Sequence, residues 1–297
     1  MRLRRWEIQV GQREFINRQL KIFFLQKADF ARFLLGLFVV VVCLCGCESQ
    51  EEREFSRGLS FEKNKDFKSA ISAFSRTILR NPQSPSAIAA AKEGAKIALL
   101  ELKDFKKATE FYETIVIQSN DVTDRVTAQK QLATVYFDQL ADYSNAIKEL
   151  NKLLATNLDP KEKVQFRIKL AKAYYFSNNF LQAESEVKDF LKSEKDDDAT
   201  FQMMVLKGNI YLAKKDQQKA IEAFKDILNT FPERAVKENA AMTLAVAYEE
   251  LKDYKNAVAV MEQMKKYHSM PEYIDLRIKK LLANQKNQPG AKGIHRK

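Results

Sequence analysis

The sequence contains little cysteine, histidine, glycine or proline. Its 297 residues include three Cys and two His, and the three Cys lie together at positions 43, 45 and 47. The rest of the chain therefore has no thiol for a zinc site or for a Cys–His catalytic pair. There are only eight Gly and six Pro, and no Gly-rich phosphate-binding loop occurs. This composition favours helix over sheet and predicts a protein that is not an enzyme and binds no metal.

Basic charge is concentrated in the N-terminal segment. Residues 1–46 contain eight Lys or Arg and three Asp or Glu, a net charge of +5, so only +6 of the total of +11 belongs to the rest of the chain. There the two signs are mixed, which predicts a solvated helical surface rather than the dense basic stripe of a nucleic-acid-binding protein.

An uncharged run follows the basic segment. It extends from Phe33 to Cys45, only 13 residues. A membrane-spanning helix needs ~20 apolar residues, so this run is typical of the apolar core of a signal peptide.

The residues that end this run resemble a lipobox, the recognition site of lipoprotein signal peptidase. Leu44, Gly46 and Cys47 match its apolar, small and lipidated positions, and Cys45 stands where Ala or Ser is usual. The resemblance implies that residues 1–46 are a cleaved lipoprotein signal peptide. It further implies that Cys47 carries a covalent lipid and that residues 47–50 form a short tether. The alternative is an uncleaved signal anchor whose cysteines are apolar filler.

A five-residue motif recurs six times after this segment. It begins with Asp or Asn, continues with an aromatic residue in five of the six copies, and ends with Ala after two variable residues. The intervals between the alanines are 38, 38, 37, 37 and 37 residues, and such regularity indicates an internal repeat. The six alanines are Ala70, Ala108, Ala146, Ala183, Ala220 and Ala257.

Each motif lies between two helical patterns. An apolar residue four after the Ala shares its helix face, and a small residue twelve before it lets two helices approach closely. The Asp or Asn is expected to cap the second helix. Lys96 occupies the small-residue position of repeat two, so that repeat is expected to be shifted or loosened. The best matches are Gly58, Phe61 and Phe74 in repeat one and Gly208, Tyr211 and Phe224 in repeat five.

These positions resemble the tetratricopeptide repeat, with Pro82 and Pro232 at the position of the family's proline. The resemblance implies an all-α, right-handed superhelical solenoid of about six helical hairpins over residues 51–270. A helical pattern at 271–285 predicts a C-terminal capping helix, and residues 286–297 predict a disordered basic tail.

The resemblance also implies a concave groove lined by the first helix of each hairpin. Its partners would be other envelope proteins or peptide segments, with no nucleic acid and no small-molecule substrate. Phe55 and Leu59 occupy positions where some family members place Lys and Asn to clamp a C-terminal carboxylate, which disfavours that function. The predicted groove residues are Glu93, Gln131, Asp138, Gln139, Lys172, Tyr175, Asn209, Asn239 and Glu249.

The combined features predict a membrane-anchored adaptor or scaffold in a cell-envelope assembly. The chain resembles the BamD family of outer-membrane protein assembly lipoproteins in its Pro, spacer and Ala-rich pattern from Pro232 to Tyr248. The alternatives are a pilotin-like lipoprotein of type IV pili or secretins, and a non-catalytic partner of a peptidoglycan-processing complex. Glu48, rather than Asp, after the lipidated Cys favours the periplasmic face of the outer membrane in a diderm host. In other hosts the extracytoplasmic face of the cell membrane is expected.

Trp6 provides a simple test of processing, because it is the only tryptophan in the chain. We expect the mature protein to show no tryptophan fluorescence when excited at the red edge of the indole band. A tryptophan emission spectrum from the purified mature protein would contradict cleavage before Cys47.

Overall fold

The computed structural model describes residues 49–287. The predicted signal peptide, Cys47 and most of the predicted basic tail lie outside these residues. The described part forms fourteen α-helices and contains no β-strand. In chain order they are α1 (Gln50–Lys63), α2 (Phe67–Arg80), α3 (Pro85–Leu100), α4 (Phe105–Gln118), α5 (Val122–Thr134), α6 (Tyr143–Leu154), α7 (Pro160–Phe176), α8 (Phe180–Ser193), α9 (Asp197–Ala213), α10 (Gln217–Thr230), α11 (Pro232–Lys237), α12 (Ala240–Glu250), α13 (Tyr254–Met264) and α14 (Pro271–Lys286).

Consecutive helices pair into six antiparallel hairpins, and each hairpin packs on the next. The first helices are α1, α3, α5, α7, α9 and the α11–α12 pair, and the second helices are α2, α4, α6, α8, α10 and α13. The final helix, α14, packs on α13, and no second helix follows it within residues 49–287. This arrangement confirms the all-α solenoid predicted from the repeat.

The hairpin turns share one backbone conformation. The residue before each capping Asp or Asn has a positive φ, between 49° and 60°, although none of the six is Gly. This left-handed residue reverses the chain, and the next side chain then caps the second helix. Five of the six caps accept a backbone N–H three residues on, as Asp66 does from Ser69 at 3.2 Å. Asn179 is the exception, because its side-chain amide donates to Ser177 instead.

The longer spacing of the early repeats arises in these turns. The N–H of the capping Asp bonds a carbonyl five residues back in repeat one, from Asp66 to Phe61, but six residues back in repeats two and three. In repeat three the extra residue is absorbed by a π-helical segment, Val135–Gln139, that continues α5.

Close contact between first and second helices forms the core. The alanines of all six motifs are 0% exposed. Gly58 packs directly on the ring of Phe74, and Gly208 on that of Phe224. Phe61 packs partly buried against the same core as Phe74, and Tyr211 is 8% exposed.

Repeat two is shifted, as its sequence suggested. Gly94, rather than the residue at position 96, faces the ring of Phe111, so the glycine and the ring are one residue further apart than in repeats one and five. Lys96 is exposed and forms an ion pair with Glu62 across the neighbouring first helix. The turn of repeat two also contains one residue more than that of repeat one, and Gly94 lies 14 residues before Ala108 instead of 12.

Two details of the C-terminal helices go beyond the sequence prediction. The first helix of the sixth hairpin is broken, because Asn239 has a φ of 64° between α11 and α12. The last helix continues to Lys286, one residue into the segment predicted to be disordered, and buries Ile274, Ile278 and Leu281. Within residues 49–287 no helix has the length and apolar character needed to cross a bilayer.

The glycine–ring contact generates a stability prediction. A Cβ on Gly208 would lie 2.6 Å from Cζ of Phe224, a fully buried ring, so we expect Gly208→Ala to destabilise the protein by about 1–3 kcal/mol. Urea denaturation followed by circular dichroism measures this loss. In a Phe224→Leu background the same Gly208→Ala change should cost less, because the clashing ring is gone. Equal costs in the two backgrounds would show that the contact does not limit helix approach.

Candidate functional site

Polar contacts join neighbouring first helices along one face of the solenoid, here called the first-helix face. Each contact links side chains about 30 residues apart, one on each of two adjacent first helices or on α12 and α14. Such partly exposed pairs individually contribute little stability, but they fix which side chains stay free on this face. The contacts are Glu62–Lys96 (3.3 Å), Lys92–Asp124 (2.7 Å), Lys130–Glu162 (2.6 Å), Asp138–Lys169 (2.5 Å), Lys172–Gln202 (3.0 Å), Asp198–Arg234 (2.7 Å) and Glu249–Arg277 (3.0 Å).

Three of the predicted groove residues come together. Lys172 and Tyr175 of α7 and Asn209 of α9 line one open groove of about 650 Å³ between repeats four, five and six. Its remaining lining includes Phe176, Phe201, Gln202, Val205, Leu206, Arg234 and Glu238.

A second groove lies between repeats two and three. Gln131 lines it together with Lys92, Lys96 and Tyr112, and its volume is about 500 Å³. Both lysines are already paired with carboxylates, Lys92 with Asp124 and Lys96 with Glu62 and Glu93.

The other predicted groove residues are placed differently. Glu93, Asp138 and Glu249 form ion pairs with Lys96, Lys169 and Arg277, respectively, so their charges are matched within the chain. Gln139 is exposed at the end of the π-helical segment, and Asn239 is exposed at the break between α11 and α12.

The groove of repeats four to six has an apolar floor and an aromatic wall. Phe201, Val205 and Leu206 form the floor, and the guanidinium of Arg234 lies 4.0 Å from the centre of the Phe201 ring. Phe176 stacks on Tyr143 with ring centres 5.1 Å apart, yet 48% of Phe176 remains exposed. An exposed aromatic ring held by a neighbour is a ready contact surface for an apolar side chain.

The charged groups at this groove differ in how well their charges are stabilised. Hydrogen bonds from Arg234 and Gln202 hold the pKa of Asp198 below its usual value. Burial lowers the pKa of Lys172, and the nearby charge of Lys169 lowers it further. Lys172 is therefore a half-buried cation that lacks the carboxylate partner most of its neighbours have.

Sequence reasoning missed several residues of this groove. Phe176 follows the identified Tyr175 but falls one position off the expected helix face. Arg234 lies two residues after Pro232, in the short α11 that precedes the break at Asn239, and the repeat pattern gave it no groove position.

Family models support the repeat directly. Residues 168–235 and 239–266 each match a model described as tetratricopeptide repeat. The chain contains tetratricopeptide repeats. Such repeats stack into extended scaffolds for protein–protein interaction. Comparison with curated proteins finds no match.

The chain is similar to several solved structures. The C-terminal part of a repeat-containing protein from Cytophaga hutchinsonii is 16% identical, with a TM-score of 0.51 over 87% of this chain and 98% of that one. A structure of Naa15/Naa10 bound to HypK-THB is 17% identical, with a TM-score of 0.51 over 79% of this chain and 39% of that one. PilW, titled a type IV pilus biogenesis factor, is 12% identical, with a TM-score of 0.44 over 77% of this chain and 99% of that one.

The Glu249–Arg277 contact predicts how the last helix is held. Nε of Arg277 is buried without a partner. The hydrogen bond from Nη2 of Arg277 to Glu249 is therefore the main contact that offsets the cost of burying this guanidinium. We expect Glu249→Gln to weaken the docking of α14 by about 1 kcal/mol, because a charge-assisted bond becomes a neutral one. Amide hydrogen exchange in α14 should accelerate correspondingly. Glu272→Gln, at an exposed position of the same helix, is the control. Equal exchange in the two variants would contradict this role.

Proposed function

We propose that this chain is a lipid-anchored adaptor that holds a protein partner on its first-helix face close to a membrane. The observation that carries the proposal is the groove between repeats four, five and six, which combines an apolar floor, an exposed aromatic ring, the ammonium of Lys172 bonded only to neutral Gln202, and the side-chain amide of Asn209. This combination suits an extended peptide segment, whose side chains need apolar contacts and whose backbone needs hydrogen bonds.

The fold supports binding over catalysis, because tetratricopeptide repeats build extended scaffolds for protein–protein interaction. Within residues 49–287 no three His, Cys, Asp or Glu side chains are grouped so that they could hold a metal ion. The acidic side chains of the first-helix face are largely engaged in ion pairs between helices. Activity of the purified protein on peptidoglycan would overturn this interpretation.

The proposed anchor lies close to the first repeat. α1 begins at Gln50, and a capping box formed by Ser49 and Glu52 fixes that start. Cys47 is three residues earlier, and at ~3.5 Å per residue the helix would begin only about 10 Å from the lipidated residue. A partner embedded in or assembled at the same membrane fits such a short tether.

For the partner we favour the outer-membrane protein assembly machine, in the manner of BamD-type lipoproteins, with the chain on the periplasmic face. What supports this choice is the short tether together with first helices that begin with Pro and continue with Ala, as in Pro85, Ala87, Ala90 and Ala91. The second candidates are a pilotin-like role in a pilus or secretin system and a non-catalytic role in a peptidoglycan-processing complex.

Substitution of the proposed lipidation site tests the anchor. We expect Cys47→Ser to abolish lipid attachment and, because the cysteine is lipidated before the peptidase cleaves, to leave residues 1–46 attached, whereas the wild-type chain begins at a lipidated Cys47. Cys45→Ser is the matched control, because Ser is usual at that lipobox position and lipidation and cleavage should continue. Mass spectrometry of the N-terminal peptide measures both cleavage and acylation. A wild-type chain that retains residues 1–46 and carries no lipid on Cys47 would contradict the anchor and support an uncleaved signal anchor.

Crosslinked co-purification from membranes, with mass spectrometry, tests the partner in the same cells. Recovery of outer-membrane protein assembly components supports the favoured function, whereas a secretin or a peptidoglycan-processing enzyme supports one of the alternatives. Recovery of no protein by the wild-type chain would contradict the adaptor function.

A further inference from the structure

One cation on the first-helix face lacks a carboxylate partner. Every other bridge between neighbouring first helices in residues 49–287 that involves a cation pairs it with Asp or Glu. The ammonium of Lys172 instead donates to Oε1 of Gln202, a neutral group, at 3.0 Å. An ammonium has three donors, so two of its N–H bonds remain available.

The carboxylates nearest to Lys172 are already engaged. Asp138 pairs with Lys169 at 2.5 Å, and Asp198 pairs with Arg234 at 2.7 Å. Burial and the positive charge of Lys169 disfavour the ammonium of Lys172, and the charges of Asp198 and Asp138 offset this only in part. A carboxylate brought in by a partner would therefore relieve an electrostatic deficit that the chain itself leaves open.

The surroundings of Lys172 indicate what accompanies that carboxylate. Phe176 presents a half-exposed ring beside Tyr175, and Val205 and Leu206 continue the apolar surface across to α9. Asn209 is half-buried at the same groove and makes no side-chain hydrogen bond in the described structure. Its amide offers both a donor and an acceptor, which matches one peptide unit of an extended chain.

The rim excludes a more highly charged ligand. Asp198 and Glu238 border the groove through their bonds to Arg234, so a polyanion would meet two carboxylates as well as the ammonium. A ligand with one carboxylate and an adjoining apolar ring avoids this repulsion, whereas a nucleic acid does not.

We propose that the groove of repeats four to six binds an extended peptide segment with an acidic side chain next to an aromatic one. The carboxylate pairs with Lys172, the aromatic ring packs on Phe176 and Tyr175, and the amide of Asn209 bonds the peptide backbone. The inference rests on the adaptor function and names the chemistry of the segment that the adaptor takes.

Two peptides test this specificity with the purified full chain. The probes are acetyl-Gly-Ser-Asp-Phe-Ser-Gly-amide and the same peptide with Asn in place of Asp, both carrying 4-fluorophenylalanine. Fluorine NMR titration measures their dissociation constants. We expect the Asp peptide to bind about tenfold more tightly, because only its carboxylate pairs with Lys172.

Substitutions of two lysines test whether the difference in affinity between the peptides arises in the groove. Lys172→Gln should weaken the Asp peptide about tenfold and leave the Asn peptide unchanged, and Lys172→Arg should retain most of the preference. Lys207→Gln is the matched control, because Lys207 lies on α9 outside the groove lining and has no ion pair in the described residues. Thermal melts followed by circular dichroism verify that each variant is folded. Equal binding of the two peptides, no binding of either, or an equal loss in Lys207→Gln would overturn the proposal.

Co-purification with the Lys172→Gln chain separates this proposal from the adaptor function. If the Lys172→Gln chain still recovers the partner and the wild-type chain binds the two peptides equally, the adaptor function stands and the groove specificity fails. If the wild-type chain recovers no partner, the adaptor function itself fails, whatever the peptides show.

Discussion

The close approach of paired helices is the constraint on which the rest of this structure depends. A fully buried Ala in each second helix, and in repeats one, two and five a Gly pressed against a Phe ring, let two helices share one core. A single hairpin has too little apolar surface to fold alone, so each hairpin must also cover its neighbour. The repeat length, the turn and the cap all serve to restore this contact every 37 or 38 residues.

Stacking then decides which polar groups face one another. Because first helices lie side by side, residues about 30 positions apart become neighbours, and most of those on the first-helix face are complementary charges. These bridges neutralise much of the face, and open grooves lie between them, among them the grooves of repeats two to three and four to six. The polar groups without a charged partner in the groove of repeats four to six are what remains after this matching.

The side chains that find no complementary partner on the first-helix face are the ones available to a ligand. One groove contains three such groups. Lys172 is half-buried with a neutral partner, the side chain of Asn209 makes no hydrogen bond within residues 49–287, and the ring of Phe176 is half-exposed. Each is unremarkable on an exposed helix, but burial makes an unmet charge or amide costly until a partner supplies the missing group. With a lipid on Cys47, the short segment between that residue and α1 would hold the solenoid, and with it the groove, close to a membrane.

The sequence by itself determined the helical hairpins, because caps, turns and apolar faces are local and recur at a readable spacing. Gly58 with Phe74 and the six buried alanines were identifiable for that reason. The register of repeat two, with Gly94 rather than position 96 against the ring of Phe111, was decided by packing between the helices. The break at Asn239 and the isolation of Lys172 were likewise decided by the tertiary structure. Whether a charge is matched depends on side chains about 30 residues away, and only the stacking of helices brings those together.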